Sequence, residues 1–155
     1  MKIIASLIPI LVIAGSFCVT ATADDARTRA ITPFLTGDAA AVGRIDLTKV
    51  DLPRLVSFLV KDPSDAQEIT NAVSPWLDAL RKAGARELYL VFPLPELSGE
   101  IALVSSAIVP LEPGADANAI GEILCGRRDV RAPLTWPTCA TLNQAVFAGT
   151  DEALE

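Results

Sequence analysis

Two kinds of side chain in this 155-residue chain could do chemistry: a cysteine pair and a scatter of carboxylates. Histidine is absent. That removes His-based triads, His metal ligands and His proton shuttles, and leaves acid–base work to carboxylates, Lys, Tyr or Cys. Cys125 and Cys139 read as a disulfide closing a loop of fifteen residues, counting both ends. The loop-entropy account values such a closure at about 3 kcal/mol. Two buried, reduced thiols are the alternative. Two cysteines cannot complete a closed zinc site, so neither a metal nor a cofactor is expected.

Among the carboxylates, Asp46, Asp51, Glu87 and Glu100 stand at strand ends or helix caps. A carboxylate pair does acid–base work only where its surroundings push the two pKa values apart. These four read instead as caps and solvated strand ends. Ser105 and Ser106 lie mid-strand with no Gly-x-Ser-x-Gly elbow, and read as packing. The chain has no Gly-x-Gly-x-x-Gly, phosphate loop or Cys-x-x-Cys. No catalytic residue is therefore assigned. Trp76 falls at helical spacing with its apolar neighbours and reads as core. Trp136, in a loop between Thr135 and Pro137, is the better of the two as a candidate for an exposed contact, with burial as the alternative.

The elements that must position these groups begin with a leader. Lys2 supplies a positive start, and residues 3–19 carry no charge. Ala21-Thr22-Ala23 places small residues at Ala21 and Ala23, where a signal peptidase reads, and Asp24-Asp25 follow. Residues 1–23 read as a secretory signal peptide cleaved after Ala23. The competing reading is a retained anchor, but the apolar run sits at the lower length limit for a span, and Pro9 and Gly15 interrupt it. Cleavage leaves 132 residues, enough for one domain with a real core, and takes the net charge from −6 to −7. An acidic chain does not track phosphate backbones, so no nucleic-acid partner is expected. Arg127, Arg128 and Arg131 form the one local basic group and read as a solvated loop.

Residues 24–33 are a polar leader, and 34–155 read as an α+β domain. The pattern predicts a strand over 39–46 and a helix capped by Asp51 with Pro53 in its first turn. A second helix starts at Ser64, with Gln67 placed for a capping box and Pro75 set to kink or divide it. Gly84 closes that helix. Strands follow over 87–92 and 100–109, then a short helix capped near Asp116 and closed by Gly126. Two short strands flank Asn143-Gln144.

The order strand–helix–strand–strand–helix–strand predicts an antiparallel sheet with helices on one face, in the split βαβ arrangement of ferredoxin-like folds. A short echo agrees with it: Ala41-Val42-x-x-Ile45-Asp46 recurs as Ala107-Ile108-x-x-Leu111-Glu112, each before an aspartate cap. In that topology 87–92 is an open edge, although both its faces are apolar, and an apolar edge invites pairing. A partner protein or a C-terminal segment beyond this chain is expected along it. The last residues, 150–155, resemble a helix start, so the domain is expected to be incomplete at its C-terminus and to be the N-terminal part of a longer protein.

Residues 34–38, 44–51 and 84–92, with Val109-Pro110-Leu111 and Gly114-Ala115-Asp116, resemble a group of uncharacterised exported proteins of planctomycete bacteria. The resemblance spans most of 34–155 and lies in strand ends and caps. Its members tend to be longer. It implies an exported protein and brings no activity, ligand or catalytic residue. The function expected is a non-catalytic structural or interaction domain of the periplasm or cell envelope, free of the membrane once the signal is removed. The alternative is the N-terminal segment of an exported hydrolase whose catalytic residues lie beyond residue 155.

Overall fold

Apolar residues alternating through Ala41, Gly43 and Ile45 build the first strand, β1 (Ala39–Asp46). The computed structural model describes residues 31–34, 39–93, 106–127, 132–142 and 144–149. After β1 the chain turns and enters α1 (Leu52–Leu59), where Asp51 accepts a hydrogen bond from the Arg54 N–H at 3.1 Å. That bond satisfies one of the free donors of the first turn.

The long helix α2 (Pro63–Lys82) starts one residue before Ser64, because Asp62 and not Ser64 caps it. The Asp62 carboxylate accepts from the Ser64 N–H at 2.8 Å and the Asp65 N–H at 3.4 Å. Pro63 occupies the first helical position, where its fixed φ suits the helix and its missing N–H is no loss. Gln67 donates to the Asn71 side chain at 2.8 Å and forms no capping box. Pro75 does not divide the helix either. Pro75 and Asn71, whose carbonyl loses its partner, are both exposed, so water can take the bond that proline cannot make. Gly84, at φ 91°, closes the helix as expected. The Ala85 N–H reaches back to Leu80 O at 3.0 Å, which completes a Schellman cap.

The chain then returns as β2 (Glu87–Pro93), directly beside β1 and antiparallel to it, with Gly43 opposite Leu90 and Ile45 opposite Leu88. β3 (Ser106–Pro110) pairs with the other side of β2. Of the expected strand over 100–109, the part before Ser106 lies outside the described residues. α3 (Ala117–Leu124) is capped by Asp116, which accepts from the Ala119 N–H at 2.9 Å. β4 (Thr138–Leu142) and β5 (Ala145–Gly149) form a hairpin, and β5 pairs with β3.

The protein is therefore α+β, with an open five-stranded antiparallel sheet in the order β1-β2-β3-β5-β4 and three helices. The connectivity differs from the split βαβ expected. That arrangement leaves a gap between the first two strands for a later strand to fill. Here two helices separate β1 from β2, and the pair of helices brings the chain back antiparallel into the neighbouring position. β2 is consequently interior. The two edges are β1 and β4.

All three helices pack on one sheet face. Leu52 and Val56 of α1, Trp76, Leu77 and Leu80 of α2, and Ile120, Ile123 and Leu124 of α3 share one core with Leu88, Leu90, Val109, Val146 and Ala148 of the sheet. Side chains one position along each strand point to the other face. There Tyr89, Val91, Ile108, Ala145 and Phe147 form a second buried cluster.

Two glycines separate backbone strain from crowding. At Gly84 an added Cβ would lie 2.9 Å from the Ala115 Cα, whereas at Gly114, φ 88°, it would meet nothing within 4 Å. Gly114→Ala is expected to lose about 1 kcal/mol in urea unfolding, from left-handed backbone alone. Gly84→Ala is expected to lose about 3 kcal/mol, because the α2 end and the turn before α3 must also part.

Candidate functional site

Among the described residues, strand alternation brings charged and hydroxyl side chains together on the second sheet face. Register sets it out in rows. Arg44, Tyr89, Ile108, Phe147 and Ala140 follow one another across the five strands. Asp46 and Glu87 are paired in the neighbouring row. The face thus runs from a polar end at β1 and β2 to an apolar centre at β3 and β5.

At the polar end Glu87 is 7% exposed. A carboxylate so buried is costly unless its charge is matched. Its Oε1 accepts from the Arg44 Nη2 at 2.5 Å, and its Oε2 accepts from the Tyr89 hydroxyl at 2.9 Å. The Arg44 side chain is 50% exposed against 9% for that of Glu87. Water reaches the cation, so the pair is worth only about 1 kcal/mol, and its effect is to make the buried carboxylate tolerable. The hydrogen bond to Glu87 holds the Arg44 guanidinium above its ordinary pKa, against the opposing effect of burial. With Arg44 donating to one oxygen and Tyr89 to the other, Glu87 serves as an acceptor in a fixed arrangement.

Asp46 closes the β1–α1 turn. Its Oδ1 accepts from the Thr48 hydroxyl at 2.6 Å and the Thr48 N–H at 3.0 Å, and its Oδ2 lies 3.1 Å from Lys49 Nζ. The Thr48 hydroxyl chiefly, with Lys49, lowers its pKa to about 2. Asp51 caps α1, as the sequence predicts. Glu100 lies outside the described residues, as do Arg128, Arg131 and the Ala21 and Ala23 cleavage positions.

The apolar centre is shaped by Phe147. Its ring lies over Gly149, where a Cβ would come within 2.5 Å of the ring. Ser106, 2% exposed, lies on the same face and is buried there. Val42 and Leu142, at the two rims, are 41% and 47% exposed.

Cys125 and Cys139 lie at disulfide distance, with sulfurs 2.07 Å apart and Cα atoms 6.3 Å apart. They join the C-cap of α3 to the edge strand β4 on the helix side of the sheet. The loop so closed corrects one expectation. Trp136 is not an exposed contact; it is 5% exposed and belongs to the main core. Its N–H bonds to Leu124 O at 3.3 Å, and Gly126 packs against Thr135, where a Cβ would approach within 2.8 Å. A short closed loop with prolines on either side turns the ring inward, where its area is buried. Trp76 is core, as expected, and its indole N–H has no hydrogen-bond partner.

Sequence reasoning singled out Glu87 as a solvated strand end, which the structure corrects, since the side chain is buried against Arg44 and Tyr89, and it missed those two partners. Glu-x-Tyr in a strand places both side chains on one face, which was a usable signal. Arg44 lies 43 residues away and joins them only through the β1–β2 register. Among the described residues, no group of three or more His, Cys, Asp or Glu could hold a metal ion, and no helix is long and apolar enough to cross a membrane. Comparison with protein-family models, with curated proteins and with solved structures returns no match.

Asp46 gives the site a pH signature. Its folded pKa is depressed from 3.8 to about 2, so its contribution is complete above pH 4 and lost as the pH falls toward 2. Asp46→Asn is expected to cost about 1 kcal/mol at neutral pH. The variant should also lose less stability than the parent between pH 4 and pH 2, read from urea midpoints.

Proposed function

We propose that this chain is an exported, non-catalytic structural or interaction domain of the periplasm or cell envelope. The observation that carries the reading is the way five carboxylates among the described residues are employed. Asp51, Asp62 and Asp116 cap helices, Asp46 binds its own turn, and Glu87 accepts from Arg44 and Tyr89. Each is spent on holding the fold in place. Groups so engaged make poor general bases, because a proton taken up would break the bonds that position them. Export is supported by the apolar leader over 3–19 with its Ala-x-Ala ending, and by a cysteine pair at bonding distance. Disulfides persist in oxidising compartments and are rare in the cytosol.

Fractionation of the source cell tests both parts. The protein is expected outside the cytoplasm with Asp24 at its N-terminus by mass analysis. An intact Met1 species held in the membrane would defeat the cleavage reading. Alkylation in denaturant without reductant should leave Cys125 and Cys139 unlabelled, and quantitative labelling of both would refute the bridge.

A further inference from the structure

The chain leading into β4 is held against the end of α3 by contacts that involve no sulfur. The backbone N–H of Trp136 donates to Leu124 O at 3.3 Å. The Trp136 ring lies in the main core, and Leu134 packs against the same core. Gly126 and Thr135 approach so closely that a Cβ at 126 would come within 2.8 Å of the Thr135 Cγ2. The two cysteines are placed by the same framework. Cys125 is the C-cap of α3, with its N–H bonded to Gly121 O at 2.9 Å. Cys139 stands opposite Ala148 in the β4–β5 ladder and beside Gly121, where an added Cβ would lie 3.8 Å from the Cys139 Cβ. Both cysteines are half-buried, and Arg127 and Pro137 near them are exposed.

We infer that this domain folds before its bridge forms, with Trp136 as the positioning residue that seats Cys139 beside the end of α3. Burying an indole removes a large apolar area from water. The bridge adds only the entropy of closing a short loop. The ring, the bond to Leu124 and the β4–β5 ladder therefore keep the two thiols together in the reduced protein. A small disulfide such as oxidised glutathione completes the chemistry. One protein thiolate attacks it, forming a mixed disulfide and releasing one glutathione thiolate. The second protein thiolate attacks the protein sulfur of that mixed disulfide and releases the other glutathione. Two protein thiols thus lose two electrons and two protons, and one oxidised glutathione becomes two thiols. The second attack is intramolecular, so its effective concentration reports how closely the fold holds the pair. The inference goes beyond the proposed function and holds in whichever compartment the protein resides.

The fully reduced protein tests it, as the parent and as Trp136→Ala and Trp136→Leu. Each is equilibrated with reduced and oxidised glutathione, in buffer and in concentrated urea, then quenched with acid and resolved by mass spectrometry into dithiol and bridged forms. The reduced parent is expected to keep its far-UV circular dichroism. Its equilibrium constant for bridging should be on the order of a hundredfold higher in buffer than in urea. Trp136→Ala, read while folded, is expected to lose about tenfold of that advantage, and Trp136→Leu about threefold. A loss of global stability alone leaves this constant unchanged in a protein folded in both states, so the readout separates positioning from packing. A reduced parent without native circular dichroism would overturn the inference. So would a folded Trp136→Ala that bridges as well as the parent. If that variant does not fold, Trp136→Leu carries the same comparison, and a parental value there overturns the inference. Failure of both to fold would make Trp136 a requirement of the whole fold and overturn its assignment as well.

Discussion

The C-terminal turn of α2 is the junction on which the remaining architecture depends. Arg81 donates from Nε to Leu47 O at 2.6 Å and from Nη2 to Val50 O at 3.0 Å, which ties down the turn between β1 and α1. Two residues later the Ala83 carbonyl accepts from the Asp116 N–H at 2.9 Å, which ties down the turn between β3 and α3. Leu47 N–H then bonds to Arg86 O at 2.8 Å, just before β2 begins. Three segments far apart in sequence therefore meet within one helical turn. Lone carbonyls in such turns would be costly if buried without donors. A guanidinium with its donors fixed in a plane can serve two of them at once.

This junction gives the internal echo a physical meaning. Both β1 and β3 lead through a short turn to an aspartate cap, Asp51 and Asp116, and then to a helix of eight residues. The two units flank β2 on either side, each antiparallel to it. They also dock by different devices at the same place, one through a side chain and one through a main-chain carbonyl. The similarity of the two units is thus local, and the differing contacts at the end of α2 fix which unit stands where.

Local structure was legible wherever a cap, a left-handed glycine or strand alternation decided it. β1, both aspartate-capped short helices, the closing Gly84 and Gly126, and the β4–β5 hairpin belong here. What could not be read was long-range. The sequence marks α1 and α2 as two helices, but the split βαβ expectation treats them as one helical connection, and a single helix would have returned the chain parallel. The second helix, at 20 residues about 30 Å long, reverses the direction once more and places β2 against β1. The same limit governs the candidate site. Glu87 and Tyr89 share a face by a two-residue rule, but Arg44 reaches them through a register that no local pattern encodes. Trp136 was misread because an aromatic between a threonine and a proline carries no sign of which way its loop is folded. The closure at Cys125 and Cys139 supplies that sign only in three dimensions.

The contact between Phe147 and Gly149 reaches past the strand that contains it. Side chains two apart on a strand lie on one face, and here the ring occupies the space that a methyl group at 149 would need. The tilt of the ring, and so the relief of the apolar surface around it, is set by the backbone beneath. Sequence drift at these two sites is therefore coupled. A bulkier residue at 149 is compatible with this topography only alongside a smaller or re-angled one at 147, so related chains should show the two positions covarying.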